Sequence, residues 1–204
     1  MGDIARLDEM RGNEVKGNLV LSRRWYLAER TSVTAMKNVI NAVPQPSRAL
    51  LEGTVMPFSW VPFGPLIDID LAIIDEVLEG KVEGMLEFGH ELGRRDAGGV
   101  YRAFLAIPPT SFVLDKVSML GSMYFRESTL GYESRAPGHG RVQLVGRAMP
   151  RYMCQFGISG WLVAILEVSK ARNPTVEHVA CVHRGATTCR WEVRWDTRSS
   201  RPRT

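Results

Sequence analysis

The sequence has few cysteines and no long apolar run, and each shortage excludes a class of protein. Only three cysteines, Cys154, Cys181 and Cys189, occur in 204 residues, which argues against a disulfide framework of paired cysteines. The least polar stretch, from Ile158 to Leu166, is far shorter than the roughly 20 residues that a membrane-spanning helix needs. The N-terminal residues 1–9 are acidic and contain no apolar signal segment. We therefore expect free thiols, no membrane span and a cytoplasmic location.

Positive charge is only slightly in excess, and most of the excess lies at the C-terminus. The chain has 26 Lys and Arg against 22 Asp and Glu, a net charge of +4. Arg198, Arg201 and Arg203 lie in the last seven residues, and without them the net charge falls to +1. Because nucleic-acid binding needs a basic face on the folded domain, we expect no nucleic-acid partner.

The hydrophobic pattern changes from helical to alternating along the chain. Apolar residues recur at helical spacing in five segments before residue 125, which predicts helices over 22–30, 32–42, 68–78, 82–95 and 110–125. The proline-rich stretch 56–65 predicts an extended segment between two of them. Two pairs of segments with alternating apolar and polar residues follow. They predict hairpins over 129–148 and 176–196 on either side of a helix over 152–170.

This order of elements predicts an α+β fold in which helices pack on an antiparallel sheet. A third alternating segment, 14–20, predicts a short N-terminal strand. We divide the chain into a flexible tail over 1–13, a single ligand-binding domain over 14–197 and a basic tail over 198–204.

Two short motifs resemble catalytic signatures but lack an essential residue. His90-Glu91 begins like a zinc-protease helix, yet Arg94 stands where that motif needs its second histidine. Gly138-His139-Gly140 is not followed by the Lys-Ser/Thr of a phosphate loop and lies between two strands. Since we also find no Gly-x-Ser-x-Gly elbow and no nucleotide motif, the sequence favours a non-catalytic protein.

The three cysteines are the strongest candidate site. The hairpin turn at 184–187 predicts that Cys181 and Cys189 lie close together, and the helix before it can bring Cys154 to the same corner. Zinc prefers four tetrahedral ligands and accepts thiolates, so a fourth ligand is needed. Three residues near Cys181 qualify: Glu177, His178 and His183. The alternative is that three small apolar thiols pack near the core.

Aromatic residues form a second candidate site, because they can line a pocket for an apolar or aromatic ligand. The ordinary alternative is that they belong to the core. The predicted lining consists of Trp60, Phe63, Tyr101, Phe104, Phe112, Phe125 and Trp161.

The region from about residue 80 to residue 196 resembles the 4-vinyl reductase domain family. The resemblance rests on Cys154 with the glycines that follow it, and on the Cys-x3-Gly-x3-Cys segment from Cys181 to Cys189. The segment from Phe88 to Gly93 also looks like the helix before the family's central segment. The family belongs to a superfamily that includes the haem nitric-oxide sensor fold and the TRAPP tethering subunits.

The resemblance implies an α+β ligand-binding domain that is commonly dimeric and carries a structural zinc held by three cysteines and one glutamate. In the family pattern the glutamate stands three residues before the middle cysteine, where this chain has His178. The implied zinc ligands are therefore Cys154, Cys181, Cys189 and His178, with Glu177 as the alternative to His178.

Three functions follow from these expectations. The first is a stand-alone sensor domain that binds a small apolar or aromatic ligand, has a structural zinc site, forms a homodimer and passes its output to a protein partner. The second is a TRAPP-like adaptor that acts through its dimer or partner surface. The third, a tetrapyrrole vinyl reductase-type enzyme, is the least supported.

Overall fold

The computed structural model describes residues 9–98 and 110–197, and of residues 117–123 it describes the backbone only. Within these ranges the fold is α+β, with helices packed on an antiparallel sheet, as predicted. The predicted pocket residues Tyr101 and Phe104 and the basic tail lie outside the described residues. No helix in the described ranges is both long enough and apolar enough to cross a membrane.

Seven named α-helices form most of the described structure. They are α1 (Gly17–Arg30), α2 (Val33–Ala42), α3 (Gln45–Glu52), α4 (Phe63–Glu76), α5 (Met85–Gly98), α6 (Thr110–Tyr124) and α7 (Ile158–Val168). A π-helical turn, Met153–Gly157, leads directly into α7, and short 3-10 turns lie at Val82–Gly84 and Val182–Arg184.

Within the described part of the chain, six strands form two antiparallel sheets. The strands are β1 (Glu14–Lys16), β2 (Trp60–Pro62), β3 (Ser128–Ala136), β4 (His139–Gly146), β5 (Arg172–Ala180) and β6 (Cys189–Asp196). Strands β1 and β2 pair alone, with Val15 opposite Val61, whereas the larger sheet has the order β3-β4-β6-β5. Both predicted hairpins are present, because β3 pairs with β4 and β5 pairs with β6.

Two helices begin earlier than the sequence pattern predicts. The predicted strand over 14–20 ends at Lys16, because the backbone N–H groups of Gly17 and Asn18 donate to Ser59 and Pro57 and start α1 there. The helix expected from residue 68 begins at Phe63, so Pro65 lies in its first turn. A proline is tolerated there because the first N–H groups of a helix have no intrahelical acceptor.

The central contact of the fold is between α5 and α7, whose backbones touch through glycines. A Cβ atom at Gly160 would lie 1.9 Å from the carbonyl oxygen of Leu86, and one at Gly89 would lie 2.1 Å from that of Gly157. Only glycine permits so close an approach. This crossing fixes the start of α7 against α5, next to both candidate sites.

The core lies between the helices and the larger sheet. Trp191 on β6 is fully buried, and its indole N–H donates to Ser159 on α7 at 3.0 Å. Residues 9–13 also contribute, since Met10 is buried and the backbone oxygen of Asn13 accepts from the N–H of Phe63. The described part of the segment that we assigned to a tail therefore packs on the domain.

Candidate functional site

The three cysteines meet in one buried cluster, which we call the thiol cluster. Cys154 comes from the π-helical turn, Cys181 follows β5 and Cys189 begins β6. The Sγ atom of Cys181 lies 3.8 Å from that of Cys154 and 3.8 Å from that of Cys189. All three are free cysteines. The fold thus brings Cys154 and Cys181, which are 27 positions apart in sequence, into contact.

His178 completes the thiol cluster as a potential fourth ligand. One atom from each of Cys154, His178, Cys181 and Cys189 can be chosen so that all four lie within 4.8 Å of one another. A register shift between His178 and Ala180 in β5 changes the alternation of the strand, and His178 stacks on Trp191 with ring centroids 4.7 Å apart. The His178 side chain is half-buried, and its two ring nitrogens are shielded from solvent and have no hydrogen-bond partner.

The other two ligand candidates, Glu177 and His183, lie outside the thiol cluster. Glu177 is exposed and lies opposite Glu192 in the ladder. His183 shares a hydrogen bond between its Nε2 and the backbone oxygen of Met149 at 2.7 Å. Neither residue belongs to the group of potential ligands.

The contacts within the thiol cluster shift the pKa values of its members in opposite directions. The hydrogen bond with Cys154 and the nearby His178 imidazole lower the pKa of Cys189 below its usual range. The same hydrogen bond, together with burial, raises the pKa of Cys154, and burial raises that of Cys181. Three sulfur ligands and one imidazole suit a tetrahedral metal ion, and a set closed by four protein ligands leaves no position for a reactive water.

A small apolar cavity is the second feature. It has a volume of about 90 Å³ and lies where α1, α5 and α7 meet the start of β3. Its lining includes the apolar residues Leu19, Met85, Phe88, Leu92, Leu130, Met153 and Ile158, together with Gly89 and Gly157. An apolar lining with a few polar groups is typical of a small-molecule site.

Polar side chains reach this cavity from α1, α5 and α7. Asp96, at the end of α5, accepts a hydrogen bond from the indole N–H of Trp161 on α7 at 3.2 Å. Burial raises the pKa of Asp96, and the hydrogen bond from Trp161 opposes that shift. Arg23 also lines the cavity, but its guanidinium is bound to the fully buried Asp70, with Nε at 2.9 Å from Oδ1.

The structure brings two of the seven predicted pocket residues to the cavity: Phe125 and Trp161. Phe63 is buried in the core and meets Phe125 edge to face at 6.1 Å. Trp60 lies under the ammonium group of Lys16, 3.7 Å from the ring centroid, and Phe112 is 42% exposed. Trp60, Phe63 and Phe112 are thus not among the residues that line the cavity.

Sequence reasoning missed Asp96, Met85, Phe88 and Met153 as cavity residues. Asp96 follows two arginines at the end of a helix, a context typical of exposed charge. The apolar residues repeat at helical spacing and are indistinguishable from core residues by pattern alone.

Comparison with known proteins finds the fold in solved structures only. No family model matches the chain, and no curated protein matches its sequence. An H-NOX protein from S. oneidensis in the Fe(II)NO ligation state superimposes with a TM-score of 0.66 at 12% identity, over 89% of this chain and 99% of that one. The F78L variant of Tt H-NOX gives a TM-score of 0.67 at 13% identity, over 89% and 95%. This chain has the H-NOX fold.

These matches correct two expectations. The assignment to the 4-vinyl reductase domain family is wrong, because the matching structures are H-NOX domains and no family model supports that assignment. Zinc as the cofactor is also contradicted. The prosthetic group named for a structure of this fold is haem, in a study of haem redox potential and porphyrin distortion that matches with a TM-score of 0.66 at 14% identity, over 89% of this chain and 99% of that one.

The cavity of this chain does not fit a histidine-ligated haem. The four histidines all lie in the described residues, and none of them lines the cavity. His90 instead pairs with Glu167 at 2.8 Å, and His139 pairs with Glu192 at 2.6 Å. A cavity of about 90 Å³ is smaller than the roughly 150 Å³ that holds benzene in an engineered protein, and a porphyrin is several times larger than benzene.

Proposed function

We propose that this chain is a small-molecule-binding regulatory domain whose ligand enters the cavity between α1, α5 and α7. The observation that carries the proposal is the cavity itself, since it is apolar, partly enclosed and edged by a carboxylate and an indole N–H. The H-NOX structures of the same fold are described by their ligation states, which supports a ligand-binding role for this architecture.

The way the polar groups are held favours binding over catalysis. Asp70 neutralises Arg23, and Asp96 is already bonded to Trp161. Groups held in this way orient a ligand, whereas a catalytic acid or base must reach a reacting atom. A ligand in the cavity touches α5 and α7 together, so it can shift how the two helices pack.

The output of such a domain passes through a surface, and we propose a second copy of the chain or a protein partner as its receiver. The wall of the cavity includes Met153 and Gly157 of the π-helical turn. Movement of this turn on ligand binding would reach the thiol cluster through Cys154.

Thermal unfolding with a small apolar probe tests the cavity. Furan, a neutral five-membered ring, should raise the unfolding temperature in a concentration-dependent way, because a ligand that binds only the folded state stabilises it. Leu19→Trp is the control, since Leu19 is partly buried at the cavity and the larger side chain should fill the space. Furan stabilisation of the wild type that is absent in Leu19→Trp supports the proposal. No stabilisation, or equal stabilisation of both proteins, leaves the adaptor as the better account.

We also propose that Cys154, His178, Cys181 and Cys189 bind one metal ion that links α7 to the β5–β6 hairpin. The proposal is supported by the convergence of four ligand atoms within 4.8 Å and by the unbonded His178 imidazole. A closed set of this kind contributes folding free energy rather than reactivity.

Elemental analysis of transition metals in the purified protein tests the metal site. We expect about one ion per chain, and Glu177→Gln should retain it. His178→Phe keeps a ring that can stack on Trp191 but removes the nitrogen ligand, so it should bind the metal less tightly. Metal-free protein with three titratable thiols at native stability would contradict the site.

A further inference from the structure

The Asp96 carboxylate is a polar group of the cavity that has more acceptor positions than hydrogen-bond partners. The side chain is only 11% exposed and lines a mostly apolar space. Its Oδ2 accepts from Trp161 at 3.2 Å, its Oδ1 lies 3.7 Å from Nη1 of Arg95, and the Tyr124 hydroxyl also donates to this carboxylate. Two carboxylate oxygens offer about four acceptor positions, so Asp96 can accept a further hydrogen bond from a molecule in the cavity.

Arg23, the positively charged residue that lines the cavity, is already paired with a carboxylate. Arg23 donates from Nε and Nη2 to Asp70 at 2.9 and 3.1 Å, and from Nη1 to the backbone oxygen of Leu19 at 3.3 Å. Arg95 donates to the Ser22 hydroxyl at 2.8 Å. An anionic ligand would therefore meet the Asp96 carboxylate, while the Arg23 charge is already paired with Asp70.

The volume of the cavity places a second limit on the ligand. A cavity of about 90 Å³ admits a molecule no larger than a small ring. Two methionines in its wall, Met85 and Met153, allow modest adjustment because the unbranched thioether side chain fills irregular gaps in several conformations.

We propose that the cavity selects a small, neutral, largely apolar molecule that carries one hydrogen-bond donor, and that Asp96 accepts the hydrogen bond from this donor. This inference rests on the proposed ligand-binding function of the same cavity. It names Asp96 as the specificity-determining residue and excludes carboxylic acids, which are anionic at neutral pH, from the ligand class.

Pyrrole and furan form a matched pair of probes. They are neutral five-membered rings of nearly equal size, and only pyrrole has an N–H donor. Dissociation constants are measured for the wild type by following methionine methyl resonances during titration. Pyrrole should bind about tenfold more tightly than furan, since a hydrogen bond to a charged group contributes at least the 1.4 kcal/mol that a tenfold ratio requires.

Two substitutions at Asp96 assign the preference to its carboxylate. Asp96→Leu has a similar size and no acceptor, so pyrrole and furan should bind equally. Asp96→Asn keeps one uncharged acceptor and should give a ratio between those of the wild type and Asp96→Leu, which keeps the test available if Asp96→Leu does not fold. Asp75→Asn is the control, because Asp75 is an exposed aspartate on α4, and it should leave the ratio unchanged.

The outcomes separate this inference from the proposed function. A pyrrole preference that falls in the Asp96 variants supports both. Equal binding of pyrrole and furan to the wild type, or a preference that survives in both Asp96 variants, overturns the role of Asp96 and leaves the cavity as a ligand site. Failure of both probes to bind overturns the proposed function and this inference with it.

Discussion

Trp161 on α7 donates its indole N–H to the Asp96 carboxylate at the end of α5, across a distance of 3.2 Å. The two residues are 65 positions apart in the chain, and both line the same apolar cavity. Their hydrogen bond adds a polar link to the α5–α7 contact, in which glycines bring the two helices close together. A ligand that bonds to Asp96 therefore acts on the packing of both helices.

The buried carboxylate predicts a pH dependence of stability. Burial raises the pKa of Asp96 in the folded state, so the folded protein keeps a proton that the unfolded chain releases. The contribution of Asp96 to the free energy of unfolding must then fall as the pH rises above the usual pKa range of aspartate. Urea unfolding of the wild type and Asp96→Asn, from pH 3 to pH 7, should show the variant gaining stability relative to the wild type as pH rises.

Glu192 provides a control of opposite sign. Burial raises its pKa, but hydrogen bonds from Arg141 and His139 outweigh burial, and the pKa of Glu192 is lowered overall. The contribution of Glu192 to the free energy of unfolding is present above the usual pKa range of glutamate. It is lost as the pH falls through the pKa of Glu192 in the folded state. Glu192→Gln should therefore lose stability relative to the wild type at neutral pH and approach it in acid. If both variants changed in the same direction with pH, the assignment for Asp96 would be wrong.

The glycines at the α5–α7 contact predict opposite effects from the same substitution. A Cβ atom at Gly160 would lie 1.9 Å from the Leu86 carbonyl oxygen, so Gly160→Ala should lower the free energy of unfolding by about 3 kcal/mol. At Gly157 a Cβ atom would meet only Cγ of Met153, at 3.9 Å, and the backbone is helical. Gly157→Ala should raise stability by up to about 1 kcal/mol. Equal effects in chemical denaturation would contradict the described helix crossing.

The buried ion pair between Arg23 and Asp70 predicts a large loss of stability when one partner is removed. Both side chains are buried, and the Tyr152 hydroxyl also lies 3.4 Å from Asp70. Asp70→Asn should lower the free energy of unfolding by about 3–5 kcal/mol, because it leaves the Arg23 charge buried without its counterion. Glu79→Gln breaks an exposed ion pair with Lys81 and should leave the unfolding curve unchanged. A small effect at Asp70 would show that water reaches Arg23 at this site.

The thiol cluster predicts that loss of one ligand changes both stability and its dependence on metal. Cys189→Ser should lower the free energy of unfolding by several kcal/mol, on the order of the loss of a metal ligand. A chelator should destabilise the wild type and leave Cys189→Ser unaffected, since the variant has no tightly bound ion to lose. A wild type that unfolds identically with and without chelator would show that the cysteines contribute packing alone.

Residue periodicity predicts much of this fold but misplaces elements that non-local contacts determine. Alternation over β3 to β6 locates both hairpins, since each face of a strand repeats every two residues. The start of α1 at Gly17 depends on acceptors in the loop at Pro57 and Ser59, which no local pattern reveals. The start of α4 at Phe63 is hidden by Pro65, because a proline in the first turn is read as a helix breaker.

The thiol cluster is easier to predict from sequence than the cavity. A short turn places Cys181 near Cys189, and this proximity follows from hairpin geometry alone. The choice of His178 depends on a strand irregularity between His178 and Ala180, which alternation cannot locate. The cavity is lined by residues of several helices and strands, between Leu19 and Trp161 in the sequence. Its existence therefore depends on packing that only the three-dimensional structure shows.

Methyl NMR of methionine-labelled protein tests the ligand site most directly. Met85 and Met153 line the cavity, whereas the equally buried Met149 does not. Saturating pyrrole should shift the ε-methyl resonances of Met85 and Met153 through its ring current and leave that of Met149 unchanged. Unchanged resonances at Met85 and Met153, or equal shifts at Met149, would contradict the cavity between α1, α5 and α7 as the ligand site.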